Sequence, residues 1–477
     1  MLFLIPLTLF GWLPVVLFLY RYLPPQRALI ISFIAAYLFL PVFNYPISGL
    51  PIYNKMSATC LAALIAMLCY DIDRFKTFQL SLIDLPMMCW CLAPLIASLT
   101  NGLGVYDGFR NASETISVWA VPYLLGRLYL NDLSGLRQLA VGIFAGGLLY
   151  APLCLIEFKN APFLHAKVYG IASSASAFMQ SSRKGGYRPV LFTVHGLSVA
   201  LWMMAATLIG VFLWRSGTLK RFWNISMKWL VLILIFILIL IQSFGALMYF
   251  VLSLVVLYTA KWLRTSILLL VLIVMIFSYL YMATTGNFNG DQIVTFFSTA
   301  VNPERAFSLE YRFEQEKLLV TKARQRMMFG WAGNGRSRIY DEWGKDLAIT
   351  DSWWIIVFGS NGILGVVSGT AMFLLPAALF THYYPARIWS HPKVAPAAAI
   401  TLVLVSYMID NLVNAMSMPV FILGLGGLSG LLVKELKSGD GNLGRDGVSL
   451  FVAGNFLAEP LQHQGHLPTQ VDSDDVE

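Results

Sequence analysis

The chain has 477 residues, of which 58% are hydrophobic and only 12% are charged, and its formal net charge at pH 7 is +8. Soluble domains carry about a quarter charged residues, so this composition excludes a soluble globular protein and predicts many membrane spans. Because backbone polar groups must be paired inside lipid, the long apolar runs predict helices rather than barrel strands. The expected fold class is all-α, a polytopic transmembrane helical bundle.

The spans can be placed in chain order. The first apolar run, Leu2–Tyr20, has no basic segment before it and no small residues arranged for cleavage after it, which indicates a retained span rather than a signal peptide. Further spans of roughly 20 residues bring the total to about thirteen. They are expected at about 28–43, 56–70, 82–99, 114–130, 138–157, 189–214, 229–242, 246–260, 265–283, 353–380, 394–412 and 417–433. The run from 229 to 260 is expected to be two short helices or a re-entrant hairpin, turning at Gln242–Gly245.

Two polar inserts, 158–188 and 284–350, interrupt the apolar runs. One set of alternate loops holds most of the lysines and arginines of the short loops, so the positive-inside rule predicts that this set is cytoplasmic. Both inserts then face the periplasm of a bacterial inner membrane. We expect a membrane domain over 1–433 that includes both inserts, followed by a mobile cytoplasmic tail over 434–477, which is Gly-rich and acidic at its end.

The positive-inside topology accounts for the excess of Lys and Arg over Asp and Glu, so no nucleic-acid partner is expected. The predicted partner is the lipid bilayer. All five cysteines fall in predicted spans, and Cys89 and Cys91 are too close for a CxxC pair. Buried apolar thiols are the expected role for them. No metal and no other cofactor is predicted.

The first candidate site residues are basic and end the shorter insert. Pro189 suits the first turn of a helix, which predicts Arg188 at the outer end of a span and His195 about two turns deeper on the same face. Arg183, Lys184 and Arg188, beside two glycines, suit a diphosphate because guanidinium groups contact phosphate oxygens in pairs. The alternatives are cations that snorkel at the interface and a histidine that makes an interhelical hydrogen bond.

The longer insert contains a run, 304–326, that has no Gly or Pro and predicts an amphipathic helix lying on the membrane surface. The charged residues of the run include Glu310, Arg312, Glu314, Glu316, Lys322, Arg324 and Arg326. A glycine-spaced turn ending at Arg336 follows, and its backbone N–H groups suit an anion. No predicted strand precedes this turn, so a nucleotide phosphate loop is not indicated. The alternative for the charged run is a solvated face.

Asp410 is an acid inside a predicted span, four residues before Asn414, with which it shares a helix face. Because an ionisable group in a span rarely faces lipid, Asp410 is predicted to point into the bundle or into a polar cavity. A structural polar clamp and a catalytic role both stay open for it.

Taken together, these residues resemble motifs of the bacterial O-antigen ligase and O-antigen polymerase superfamily. The residues that carry the resemblance are Arg188, Phe192, His195, Arg312, Gly333, Gly335, Ser352 and Gly362-Ile363-Leu364-Gly365. Leu191 stands where the pattern has glycine, Gly196 and Leu197 also depart from it, and Asp351 stands where the pattern has histidine. The turn Ser243-Phe244-Gly245-Ala246 resembles a third motif but lacks its arginine.

The resemblance implies transfer or polymerisation of an undecaprenyl-diphosphate-linked glycan onto a glycan or lipid acceptor, in surface polysaccharide synthesis. Cations are needed for the departing diphosphate and a base for the acceptor proton. The hypothesis assigns the diphosphate to Arg188 and Arg312, with Arg183, Arg324, Arg326 and Arg336 as supporting cations. It assigns the base to Asp351, with Glu310, Glu314 and His195 behind it.

Two functions of other classes stay open. A transporter or flippase for lipid-linked glycans predicts paired intramembrane charges and interrupted helices repeated in two halves, and the sequence has one clear intramembrane acid and no such symmetry. A non-catalytic scaffold of an envelope-synthesis complex is compatible with the missing histidine.

Overall fold

The protein is described by a computed structural model. It describes residues 2–45, 52–174, 179–183, 185–288, 290–300, 303–348 and 352–438. The chain divides into two units, Met1–Lys434 and Glu435–Glu477. Of the second unit, residues 435–438 are described and are helical, so nearly all of the predicted tail 434–477 lies outside the described residues.

The described part of the chain is mainly helical, as the composition predicts. The α-helices are α1 Leu4–Tyr22, α2 Pro25–Phe39, α3 Lys55–Tyr70, α4 Leu85–Thr100, α5 Gly104–Thr115, α6 Val121–Tyr129, α7 Leu133–Asn160, α8 Leu164–Tyr169, α9 Gly196–Arg215, α10 Met227–Leu240, α11 Phe244–Trp262, α12 Ile267–Thr285, α13 Asp291–Ala300, α14 Pro303–Arg324, α15 Trp353–Tyr383, α16 Ala395–Asp410 and α17 Pro419–Ser438. The remaining elements are 3₁₀ helices at Ile72–Thr77, Leu82–Asp84 and Ala386–Ile388, a π-helix at Ile116–Ala120, and two antiparallel hairpins, β1 Ser182–Arg183 with β2 Gly186–Tyr187 and β3 Arg221–Phe222 with β4 Ile225–Ser226.

Eight helices in the described part of the chain are long and apolar enough to cross a membrane. They are Leu4–Tyr22, Leu82–Thr100, Leu133–Asn160, Gly196–Arg215, Phe244–Trp262, Ile267–Thr285, Trp353–Tyr383 and Pro419–Lys437. The shorter apolar helices are α2, α3, α10 and α16. Length and composition therefore support a multi-pass membrane protein with the bilayer as its partner.

Small residues let the helices of the bundle approach closely. A Cβ on Gly147 of α7 would lie 2.3 Å from the Ala206 Cβ of α9, and a Cβ on Gly126 of α6 would lie 2.1 Å from a backbone oxygen of α17. Close backbone approach through small side chains is the usual packing mode between helices in lipid. It places α9, which is almost entirely buried, at the centre of the bundle.

The apolar stretch from 229 to 260 is two helices, α10 and α11, which turn at Gln242 as predicted. Gln242 has a φ of 54°, in the left-handed region that ends a helix. The chain therefore turns between α10 and α11, and α11 begins at Phe244.

The longer insert is docked on the bundle. The irregular segment after α14 crosses α15, and backbone hydrogen bonds join Ile363 N to Met327 O at 2.9 Å and Trp331 N to Gly359 O at 2.8 Å. At the crossing, Gly362 has a φ of 64° and interrupts α15.

The helix predicted over 304–326 is present as α14, and its apolar side packs against the protein. Its position on the membrane surface stays a prediction. Leu319, Val320 and Ala323 on its apolar side are buried in the protein. Packing against α13 and α15 accounts for this, because it removes the apolar side from solvent without lipid.

Candidate functional site

The loop after α16 is where three parts of the molecule meet. The Arg312 guanidinium of α14 donates to the Val413 carbonyl at 3.0 Å, and the Trp353 amide at the start of α15 donates to the Asn414 carbonyl at 3.0 Å. From the central helix α9, the Ser198 hydroxyl donates to Met416 Sδ at 3.1 Å. The loop therefore joins the insert helix to the centre of the bundle.

Asp410 ends α16 beneath this loop and is buried. Its Oδ1 accepts a hydrogen bond from Asn414 Nδ2 at 2.7 Å. The Tyr249 hydroxyl of α11 lies beside the same carboxyl, and the Arg312 guanidinium acts on it electrostatically. The acid thus lies inside the bundle, together with the arginine of the insert.

Glu316 lies one helical turn after Arg312 and is 8% exposed. Its Oε1 accepts from the Ser352 hydroxyl and from Trp354 Nε1, the latter at 3.3 Å, and its Oε2 accepts from the Tyr279 hydroxyl at 3.3 Å. Burial raises the pKa of Glu316 to about 7, although these three donors and Arg312 pull it back down. A carboxyl that titrates near neutral pH suits proton transfer.

Sequence reasoning placed Glu316 in the charged run but not among the catalytic candidates. A usable signal was present, because residues four apart on a helix are neighbours and Arg312 already counted as a site residue. What the sequence does not show is that Ser352, Trp354 and Tyr279 converge on this carboxylate from α12 and α15.

Two buried charged residues, Glu157 and Lys55, hold the segment from Arg188 to His195 in a non-helical conformation. The Glu157 carboxylate accepts from the backbone amides of Val190 and Leu191, at 2.9 and 2.8 Å, and from two amides of the shorter insert, at 3.1 and 2.9 Å. The Lys55 ammonium donates to the Phe192 carbonyl at 2.8 Å. A segment fixed in this way keeps its side chains in place.

The predicted start of the helix at Pro189 is therefore wrong, because α9 begins at Gly196. The amides after Pro189 are bound to Glu157 and are not available to a helix. The predicted depth of His195 is wrong for the same reason. His195 caps α9, where its Nδ1 accepts from the Leu197 amide at 3.1 Å, and its Nε2 lies 3.0 Å from Gln180 Oε1.

Arg188 and Arg183 lie on the same hairpin. Arg188 is buried, and its Nη2 donates to the Gln242 carbonyl at 3.5 Å. Arg183 donates from Nη1 to the Gln180 carbonyl at 2.9 Å, which brings it near His195 through the same glutamine. Arg183, Arg188 and His195 thus form one group.

The beginning of α11 links Arg188 to Arg312. Arg188 contacts the Gln242 carbonyl just before the helix, whereas Arg312 acts on Tyr249 in its second turn. The Tyr249 hydroxyl lies back along the helix, 3.4 Å from a Cβ built on Gly245. Arg188 therefore binds the start of α11 directly, whereas Arg312 binds the loop after α16 and interacts with Tyr249 of α11 only electrostatically.

Three of the supporting cations, Arg324, Arg326 and Arg336, lie elsewhere on the longer insert. Arg324 lies beside Gly286 at the end of α12, and the Arg326 guanidinium carbon lies 5.2 Å from the centre of the Trp331 ring. Arg336 binds Asp107 of α5 at 3.0 Å, and its hydrogen bond holds the pKa of that carboxyl below the ordinary value. Within the described part of the chain, the contacts of these three arginines do not include Arg188 or Arg312.

Two of the remaining predicted site residues, Glu310 and Glu314, border a cleft between α12, α13 and α14. Glu310 and Glu314 are exposed along its edge, with Glu316 at its buried side. Asp351 lies outside the described residues, but its neighbour Ser352 is bound to Glu316.

No protein-family model matches the chain, and no curated protein matches its sequence.

Proposed function

We propose that the protein is a membrane glycosyltransferase that transfers or polymerises an undecaprenyl-diphosphate-linked glycan at the periplasmic face of a bacterial inner membrane, as O-antigen ligases and polymerases do. One observation carries the proposal: Arg188 of the shorter insert donates to the Gln242 carbonyl at the start of α11, and Arg312 of the longer insert interacts electrostatically with Tyr249 in the second turn of the same helix. Guanidinium pairs suit the oxygens of a diphosphate.

The topology of the proposal uses about thirteen spans of roughly 20 residues each. Eight long helices and four shorter apolar ones provide most of them, and the α5–α6 segment provides another. Both inserts then lie on the periplasmic side. The approach of Arg188 and Arg312 supports this, because residues on opposite faces of a membrane could not share a helix end.

Backbone geometry supports the resemblance to the superfamily motifs. Leu191 stands where the pattern has glycine, and it has a φ of 51°, a conformation that glycine favours. Gly362 of the later glycine motif has a φ of 64° where the insert crosses α15. The backbone at both places therefore has a conformation that suits the glycines of the motifs.

In the proposed reaction Arg188 and Arg312 stabilise the negative charge that grows on the departing diphosphate. Both arginines are already held against backbone carbonyls, so little reorganisation is needed when charge develops. Asp351 stays the base predicted from the sequence.

Reconstitution of the purified protein in vesicles with a lipid-linked oligosaccharide and an acceptor tests the proposal. We expect the wild type to form new glycosidic bonds and Arg312→Ala to slow their formation by about 100-fold or more, as the loss of one stabilising donor does. Lys345→Ala is the control, because Lys345 is an exposed cation of the same insert.

Full activity of Arg312→Ala would overturn the assigned role. Leaflet exchange of the lipid-linked oligosaccharide without new bonds would indicate a carrier, and neither activity would indicate a scaffold.

A further inference from the structure

The cleft between α12, α13 and α14 has the chemistry of a sugar-binding surface. Its walls carry the partly exposed rings of Phe288 and Phe313, its rim carries the carboxylates of Glu310 and Glu314, and the buried Trp354 lies behind it. Aromatic faces pack against the apolar side of a sugar ring, and ionised carboxylates accept hydrogen bonds from its hydroxyls. Such a surface disfavours a diphosphate, which the arginines suit instead.

Glu316 is the buried carboxylate of this cleft and is held in one orientation. Donors on two different helices fix both oxygens: Ser352 and Trp354 at the start of α15, and Tyr279 of α12. Arg312 lies one turn away on the same face of α14. The carboxylate therefore lines the cleft and lies one helical turn from the guanidinium assigned to the diphosphate.

We propose that the cleft binds the hydroxyl-bearing sugar of the acceptor and that Glu316 takes the proton of the attacking hydroxyl. This inference rests on the proposed function, and it assigns to Glu316 the role that the resemblance implied for Asp351. Glu316 is a catalytic residue in this mechanism because it touches the reacting hydroxyl.

The step balances in atoms and charge. The acceptor oxygen forms a bond to the anomeric carbon of the glycan as its proton passes to a Glu316 oxygen. The bond from that carbon to the diphosphate oxygen breaks, and its electron pair leaves with the lipid diphosphate beside Arg312. Glu316 then releases the proton to water.

Glu316→Gln in the reconstituted assay tests the inference. We expect kcat to fall by about 100-fold or more, the usual contribution of a general base, with the donor KM unchanged. Glu342→Gln is the matched control, because Glu342 is an exposed carboxylate of the same insert. Glu316→Asp, which keeps the acid, is expected to recover part of the rate. A Glu316→Gln protein with wild-type kcat would overturn the inference.

The pH dependence of the rate is a second test, because it would not change if Glu316 had only a structural role. The groups that face Glu316 are Ser352, Trp354, Tyr279 and Arg312, and all of them favour its ionised form. The wild-type rate is expected to fall as the pH drops through about 7. Ser352→Ala removes one donor and should move this acid limb to higher pH. An unmoved limb in Ser352→Ala would contradict the assignment.

The two levels of failure are distinct. If the wild type forms no glycosidic bond, the proposed function and this inference are both wrong. If the wild type forms bonds and Glu316→Gln forms them at the same rate, only this inference is wrong. Size-exclusion elution of each variant shows whether it is folded, and Ser352→Ala provides the test if Glu316→Gln is not.

Discussion

At the residue scale, Glu157 and Lys55 decide how the segment before α9 runs. Each is buried inside the bundle, and each binds backbone groups of residues 190–192. A buried charge is stable only when hydrogen bonds satisfy it, so the backbone around Leu191 is fixed together with the two side chains. The φ of 51° at Leu191 is held by the same contacts.

Glu157→Gln is expected to destabilise the protein by about 2 kcal/mol or more. One oxygen becomes an NH₂ group, so two of the four backbone amides lose their acceptor, and each buried unsatisfied group costs about 1–3 kcal/mol. Thermal unfolding in detergent measures the change. Lys159→Gln, an exposed change on the same helix, should leave the midpoint unchanged. Equal unfolding midpoints for the two variants would contradict the stabilising role of the Glu157 hydrogen bonds.

At the scale of elements, the break at Gly362 allows the insert to dock on α15. Its φ of 64° and ψ of −160° are accessible to glycine almost alone, and a Cβ there would lie 2.4 Å from the Met328 carbonyl. The freed amides of Ile363 and Leu364 donate to the backbone of the insert. The interruption of the helix therefore creates the docking surface for the insert.

Gly362→Ala is expected to loosen the insert from the bundle. The added methyl group clashes with backbone, so either the kink or the crossing segment must move. Limited proteolysis should then cut the insert faster than in the wild type. Gly11→Ala is the control, because that helical glycine has open space around it and alanine favours helix. Unchanged cleavage of Gly362→Ala would contradict the docking role.

At the scale of the whole molecule, the proposed topology puts both inserts on the outer side of the membrane. A cysteine at Glu342 is expected to react with a membrane-impermeant maleimide in cells with a permeabilised outer membrane, whereas a cysteine at Lys220 is not. Cys69 and Cys89, which are not buried, would first be changed to serine. Labelling of the cysteine at Lys220 instead of the cysteine at Glu342 would indicate the opposite orientation in the membrane.

Much of the architecture was accessible from sequence because apolar length decides which segments can cross a membrane. The turn at Gln242, the insert helix and most of the apolar runs were predicted close to their observed places. The start of α9 was missed, because its local signal, Pro189, competes with a carboxylate that lies 33 residues earlier in the chain. Local pattern carries no information about such a partner.

The sequence by itself determined that this is a helical, multi-pass membrane protein, and it identified Arg188, Arg312 and Asp410 as residues to examine, because charge in an apolar chain is costly and therefore conspicuous. Only the tertiary structure decided how they are grouped. It brought Arg312 to Asp410, held Arg188 at the start of α11, and buried Glu316 among donors from two other helices. Contacts between residues distant in the chain depend on how the helices pack, and a single sequence does not encode that packing in any local pattern.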